Sequence, residues 1–268
     1  MATKNEKAAA ARAQAQAQVK GKERRTTVII IAVSLLVIAA FAAIVFFIVN
    51  SAKVPPIEDA HAPQTADASG GIPVGTGGVA GEDVPTGVNR VDIYQDFMCP
   101  ICGQFEQVNA ADLDALREDG TVAIYYHPIA ILDRYSAGTN YSTRSANAAG
   151  VVADAAPEYF LDFSSALYAN QPKENTPGLD DATIASIAVG VGVPQAIADG
   201  FKSGEFTKWV YAATQRASVD GMAGTPTVMV NGEILDQTQV PYFQAGALKA
   251  YLEALPKPDG TPPGPGGE

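Results

Sequence analysis

Apolar and polar residues along the middle of this 268-residue chain follow two periods, and the change from one to the other marks out its elements. Residues 89–97 (NRVDIYQDF), 121–127 (TVAIYYH) and 227–230 (TVMV) are short runs of β-branched and aromatic residues, which reads as strands. Asn231-Gly232 follows the third run and suits the positive-φ positions of a tight hairpin, so Glu233-Ile234-Leu235 is expected to return as a fourth, antiparallel strand. After the first strand, Phe105, Val108, Leu113 and Leu116 recur near helical spacing until Asp119-Gly120 ends the pattern. A last helix is expected over 242–255, with Phe243, Leu248, Tyr251, Leu252 and Leu255 apolar. The stretch 141–221 carries no strand pattern. It reads as helices at 144–155, 159–169, 180–189, 194–202 and 206–219, separated by Pro and Gly. The sum is an α/β domain over 70–255 with a helical insertion of about 80 residues.

Toward the N-terminus the pattern changes. Residues 28–49 form an apolar run of 22 residues with no charge, roughly 33 Å as a helix, enough to span a bilayer. The basic segment 1–27 precedes it, with Lys20, Lys22, Arg24 and Arg25 at its edge, and the positive-inside rule then puts the N-terminus in the cytoplasm and the domain outside. A cleaved signal peptide is the competing reading; the run is long for one, and Asn50-Ser51-Ala52-Lys53 is a poor cleavage site. Residues 50–69, rich in Ala, Pro and Asp, read as a tether that includes a solvated His61. Residues 256–268 read as a Pro/Gly tail. Segment 1–27 holds seven Lys or Arg against two acids, whereas the remainder holds 11 basic and 27 acidic residues. So acidic a body repels phosphate backbones, which argues against nucleic acid as a partner.

Chemistry concentrates in Cys99-Pro100-Ile101-Cys102, at the junction of the first strand and first helix. These are the chain's two cysteines. As a staple the pair closes too short a loop to stabilise much. As half of a zinc site it lacks the other half, since the two histidines are His61 and His127, so no metal is expected. As a redox pair the placement makes sense. Pro100 suits the first helical position, which makes Cys99 the N-cap, where the helix dipole and free amides favour a thiolate. Cys102, nearly a turn inside, would be the buried resolving thiol. Asp96, three residues before Cys99, is either a carboxylate that modulates proton transfer or a solvated strand-end acid. His127, followed by Pro128, reads as structural.

The string DFMCPIC, together with Gly224-Thr225-Pro226-Thr227 and a helical insertion between the second and third core strands, resembles the DsbA family of thioredoxin-fold oxidoreductases over about 70–255. The resemblance implies a thioredoxin-like fold and a redox-active disulfide with no other cofactor. It implies a cis Pro226 lying against the cysteines, with the backbone of Thr225 hydrogen-bonding a bound peptide. Exported cysteine-containing proteins would be the substrates, and a quinone-linked membrane oxidase the recycling partner. Ile101 stands where strongly oxidising members carry His, so a less acidic Cys99 and a less oxidising disulfide are expected. A reductase or isomerase of exported proteins, and a non-catalytic thioredoxin-like binding module, are the alternatives to an oxidase.

Overall fold

The computed structural model describes residues 31, 33–46 and 57–258, which fall into two separate units divided between Val54 and Pro55. In the first unit residues 33–46 are helical. Both ends of the expected anchor at 28–49 lie outside the described residues, as do the basic segment 1–27 and residues 259–268 of the tail. Among the described residues no helix is long and apolar enough to cross a membrane.

The second unit is built on a five-stranded sheet of order β1-β3-β2-β4-β5, formed by β1 (Ile72–Val74), β2 (Asn89–Gln95), β3 (Val122–Pro128), β4 (Thr227–Val230) and β5 (Glu233–Ile234). Strands β2 and β3 are parallel, connected by helix α1 (Pro100–Glu118), and the other pairings are antiparallel. One face of the sheet presents Val91, Ile93, Ile124, Val228 and Val230 to the main core, where Phe105, Leu113 and Leu116 of α1 also lie. The other face presents Tyr94 and Met229 to Ala213 and Ala217 of a later helix. The expected strands are present, although the first stops at Gln95 and does not reach Phe97. The sequence pattern missed β1, whose three residues include a proline and lie among glycines.

Between β3 and β4 come α2 (Tyr141–Ala155), α3 (Phe160–Ala169), α4 (Asp181–Gly190), α5 (Gln195–Ala198) and α6 (Thr207–Val219), the expected insertion. Helix α2 is its centre, with Ser145 through Ala153 all buried. Its small residues allow close approach: a Cβ at Gly150 would lie 3.0 Å from the Trp209 ring. Asp180 caps α4 by accepting from the Thr183 amide at 2.8 Å. The helix expected over 194–202 divides into α5 and a 3-10 turn at Phe201–Ser203. The last helix, expected over 242–255, is shortened to α7 (Ala247–Ala254). Gly246 precedes it at φ 76°, and Tyr242 and Phe243 are turned edge-on against Phe105.

The tether reading of 50–69 is corrected from Ile57 onward. Residues Ile57–Ala60 form a 3-10 turn packed on α6, with Ile57 and Ala60 buried. The Gln64 amide donates to Asp154 at 2.6 Å, and Asp67 accepts from the Ser69 and Gly71 amides while pairing with Arg90 at 2.9 Å. Composition reads as a linker here because these partners lie far along the chain. Asp67→Ala is therefore expected to destabilise the domain by about 1–3 kcal/mol in urea unfolding. A change within about 0.5 kcal/mol would return the segment to a tether.

Candidate active site

Cys99 follows the turn that leaves β2, and Pro100, with no amide hydrogen to lose, opens α1 directly after it. The backbone of Cys99 is extended, φ −75° and ψ 114°, the conformation of an N-cap residue. Both cysteines are buried and are not joined to each other. The antiparallel register of β2 and β4, with Tyr94 opposite Thr227, carries the end of one strand to the start of the other. Thr225 thus reaches Cys99, whose thiol donates to the Thr225 carbonyl oxygen at 3.2 Å. The Thr225–Pro226 peptide is cis, as the resemblance implied, and Pro226 is buried.

The two sulfurs are chemically unequal. The Cys102 thiol, together with the amides of Cys102 and Ile101, stabilises the Cys99 anion against the cost of burial and brings its pKa down to about 6. Burial, and then the neighbouring Cys99, push the Cys102 thiol well above the ordinary range. The arrangement supplies one thiolate near neutral pH and one thiol that keeps its proton. Ile101, between them, projects outward with 47% of its surface exposed.

Asp96 corrects one expectation. It is fully buried, not solvated, and accepts from the amides of Met98 (2.9 Å), Ile131 (3.0 Å) and Leu132 (2.9 Å). Burial pushes its carboxyl up to about 6 despite these donors. With its oxygens committed to backbone, Asp96 ties the cysteine turn to the loop after β3, a structural task the proton-transfer expectation did not foresee. Sequence reasoning also missed Gln171, just beyond α3, whose Nε2 donates to the carbonyl oxygens of Phe97 (3.0 Å) and Cys99 (2.9 Å). The one hint in the sequence is Gly103, a glycine inside a helical pattern.

The remaining candidates lie apart from the cysteines. His127 is buried, bonds Asp92 at 2.8 Å and stacks on Tyr94, in keeping with its structural reading. Burial would push the Asp92 carboxyl up, but bonds from His127 and Arg90 hold it below the usual range. His61 is exposed yet stacks on Phe206, its Nε2 3.4 Å from Glu205. Among the described residues no cluster of three or more His, Cys, Asp or Glu is placed to hold a metal ion.

Comparison with known proteins agrees with this geometry. The sequence model of the family described as Thioredoxin matches residues 85–249. Among solved structures, DsbA from Mycobacterium tuberculosis in its oxidised form is 28% identical with a TM-score of 0.52, covering 69% of this chain and 98% of that one. The reduced disulfide bond oxidoreductase DsbG of M. tuberculosis is also 28% identical, with a TM-score of 0.54 over 74% of this chain and 97% of its own. MdbA, a thiol-disulfide oxidoreductase from Actinomyces oris, shares the fold at 24% identity and a TM-score of 0.59, covering 72% and 89% of the two chains. The serine/threonine-protein kinase PknE of M. tuberculosis is 36% identical over 118 residues, 42% of this chain but only 21% of the kinase. With the family match covering more than half its length, the chain belongs to the thioredoxin family, and within it to the DsbA-like thiol:disulfide oxidoreductases.

Proposed function

We propose that this oxidoreductase works outside the cytoplasm, forming disulfides in exported proteins by exchange through Cys99. The observation that carries the reading is the unequal pair, an acidic Cys99 thiol at a helix N-terminus beside a Cys102 thiol that holds its proton. In the oxidised enzyme a substrate thiolate attacks the Cys99 sulfur. The Cys99–Cys102 bond breaks, its electron pair stays on Cys102, and Cys102 takes up a proton. The substrate's second thiolate then attacks the substrate sulfur joined to Cys99 and expels Cys99 as a thiolate. The substrate dithiol has lost two electrons and two protons, and the enzyme holds the electrons as reduced Cys99 and Cys102. A low pKa at Cys99 favours the last step, because the better-stabilised thiolate leaves faster.

Other residues take roles around this exchange. The backbone of Thr225, beside the buried Pro226, would bond the substrate peptide, and exposed Ile101 would contact its apolar side chains. The apolar run 28–49 would anchor the chain with the domain on the outer side, where disulfides persist. A quinone-linked membrane oxidase would withdraw the electrons and restore the disulfide. The same geometry also serves a reductase or isomerase. That second reading draws on Ile101, which provides no charge to sharpen the thiolate, and on a Cys99 pKa about 6, well above the roughly 3.5 of a strong oxidant.

Cys99→Ala is expected to abolish dithiol oxidation in a purified peptide assay, while Cys102→Ala, given a disulfide-bearing peptide, accumulates it as a mixed disulfide on Cys99 because no resolving thiol follows. Full activity in Cys99→Ala would refute the mechanism. Alkylation of the reduced enzyme by iodoacetamide should follow the Cys99 thiolate. Its rate rises with pH through a midpoint near 6 and is flat above it, because the anion forms as pH passes the lowered pKa. A lone midpoint at about 8.5, the value of an unperturbed thiol, would contradict the site as described.

A further inference from the structure

We propose that Gln171 is a positioning residue of the redox site, fixing the backbone on either side of Cys99 and so the direction in which its sulfur faces the amides of α1. The proposal rests on reading Cys99 as the exchanging thiol, and gives the helical insertion a task in that exchange.

Gln171 is itself held, its amide donating to the Tyr168 carbonyl at 3.2 Å. Its side-chain Nε2 reaches the carbonyl oxygens of Phe97 and Cys99, at 3.0 and 2.9 Å, which engages both hydrogens of the carboxamide. The peptide between Phe97 and Met98 is thereby fixed at both ends, its oxygen by Gln171 and its N–H by the Asp96 carboxylate at 2.9 Å. The carbonyl two residues on, that of Cys99, belongs to a peptide with no N–H, because Pro100 follows. Its direction, which is the ψ angle of Cys99, can be held only from the oxygen. Gly103 N, at 3.2 Å, and Gln171 do so. Through that angle the N-cap geometry of Cys99 is kept, and with it the placement of its sulfur at the start of α1.

A second observation points to the same contact. Gly103 lies in the first turns of α1, where alanine would favour the helix. A Cβ there would come within 2.7 Å of the Gln171 Oε1 and 3.4 Å of its Cδ. The missing side chain leaves the space that the carboxamide occupies. Gly103 and Gln171 therefore form one device, although 68 residues separate them in the sequence.

The test titrates the Cys99 thiolate by its ultraviolet absorbance in the reduced full-length protein and measures its equilibrium with glutathione. Gln171→Ala is expected to lower the thiolate fraction near pH 6 by about three- to fivefold, a rise of up to about one pKa unit. It should shift the glutathione equilibrium toward the disulfide by a like factor, about 30 mV for tenfold. Gln171→Glu keeps the shape but loses the donors, and should shift both further, which preserves the test if the alanine variant folds poorly. Gly103→Ala should move both in the same direction despite its better helix propensity. Adding it to Gln171→Ala should change little more, since the two act through one contact. An unchanged thiolate midpoint and glutathione equilibrium in Gln171→Ala and Gln171→Glu would overturn the proposal, as would shifts from Gly103→Ala and Gln171→Ala that simply add. If the unmodified protein shows no thiolate below pH 8, it is the reading of Cys99 that fails.

Discussion

A buried thiol ionises near pH 6 only if donors are fixed around its sulfur before the proton leaves, and in this chain those donors sit in the first turn of α1. Two are amides of α1, available because Pro100 starts the helix immediately after Cys99. A third is the Cys102 thiol one turn on. From across the sheet, just before β4, the Thr225 carbonyl oxygen accepts from the Cys99 thiol. The strand pairing that sets Tyr94 opposite Thr227 brings Thr225 to Cys99, so the register of the sheet decides what faces the thiol from outside α1. A slip of one residue between β2 and β4 would turn the valines of β4 out of the core as well as moving Thr225.

The rest of the domain serves that junction. The insertion must leave the sheet after β3 and return at β4, and its central helix α2, lined by small residues, packs closely enough against Phe206 and Trp209 for the return to be compact. Two side chains then tie the cysteine turn to its surroundings. Asp96 joins it to the loop after β3, and Gln171 joins it to the end of α3. The N-terminal segment from Ile57 closes over α6 and joins the central strand β2 through Asp67 and Arg90.

What the sequence disclosed follows from how local each signal is. The strands at 89, 121 and 227, the hairpin at Asn231-Gly232 and the cysteine motif with its proline are each written within a few neighbouring residues, and each was legible. Strand β1 was not, since three residues that include Pro73 carry no period. The docking of residues 57–69 was hidden because Ala, Pro and Asp compose linkers as readily as they compose a segment packed on a helix 150 residues later. Asp96 drew attention by its nearness to Cys99, but its burial and its amide partners at 131 and 132 are decided by tertiary packing. Gln171 belongs to no pattern at all, because a side chain that bonds backbone carbonyls needs only position.

The direction of exchange turns on how electrons flow through Cys99 and Cys102 in the living cell. Rapid acid quenching of intact cells followed by thiol-specific mass labelling measures the state of that pair directly. As an oxidase of exported proteins, the protein should be found with Cys99 and Cys102 predominantly joined as a disulfide. A predominantly reduced pair would contradict that account and make the protein a reductase or isomerase.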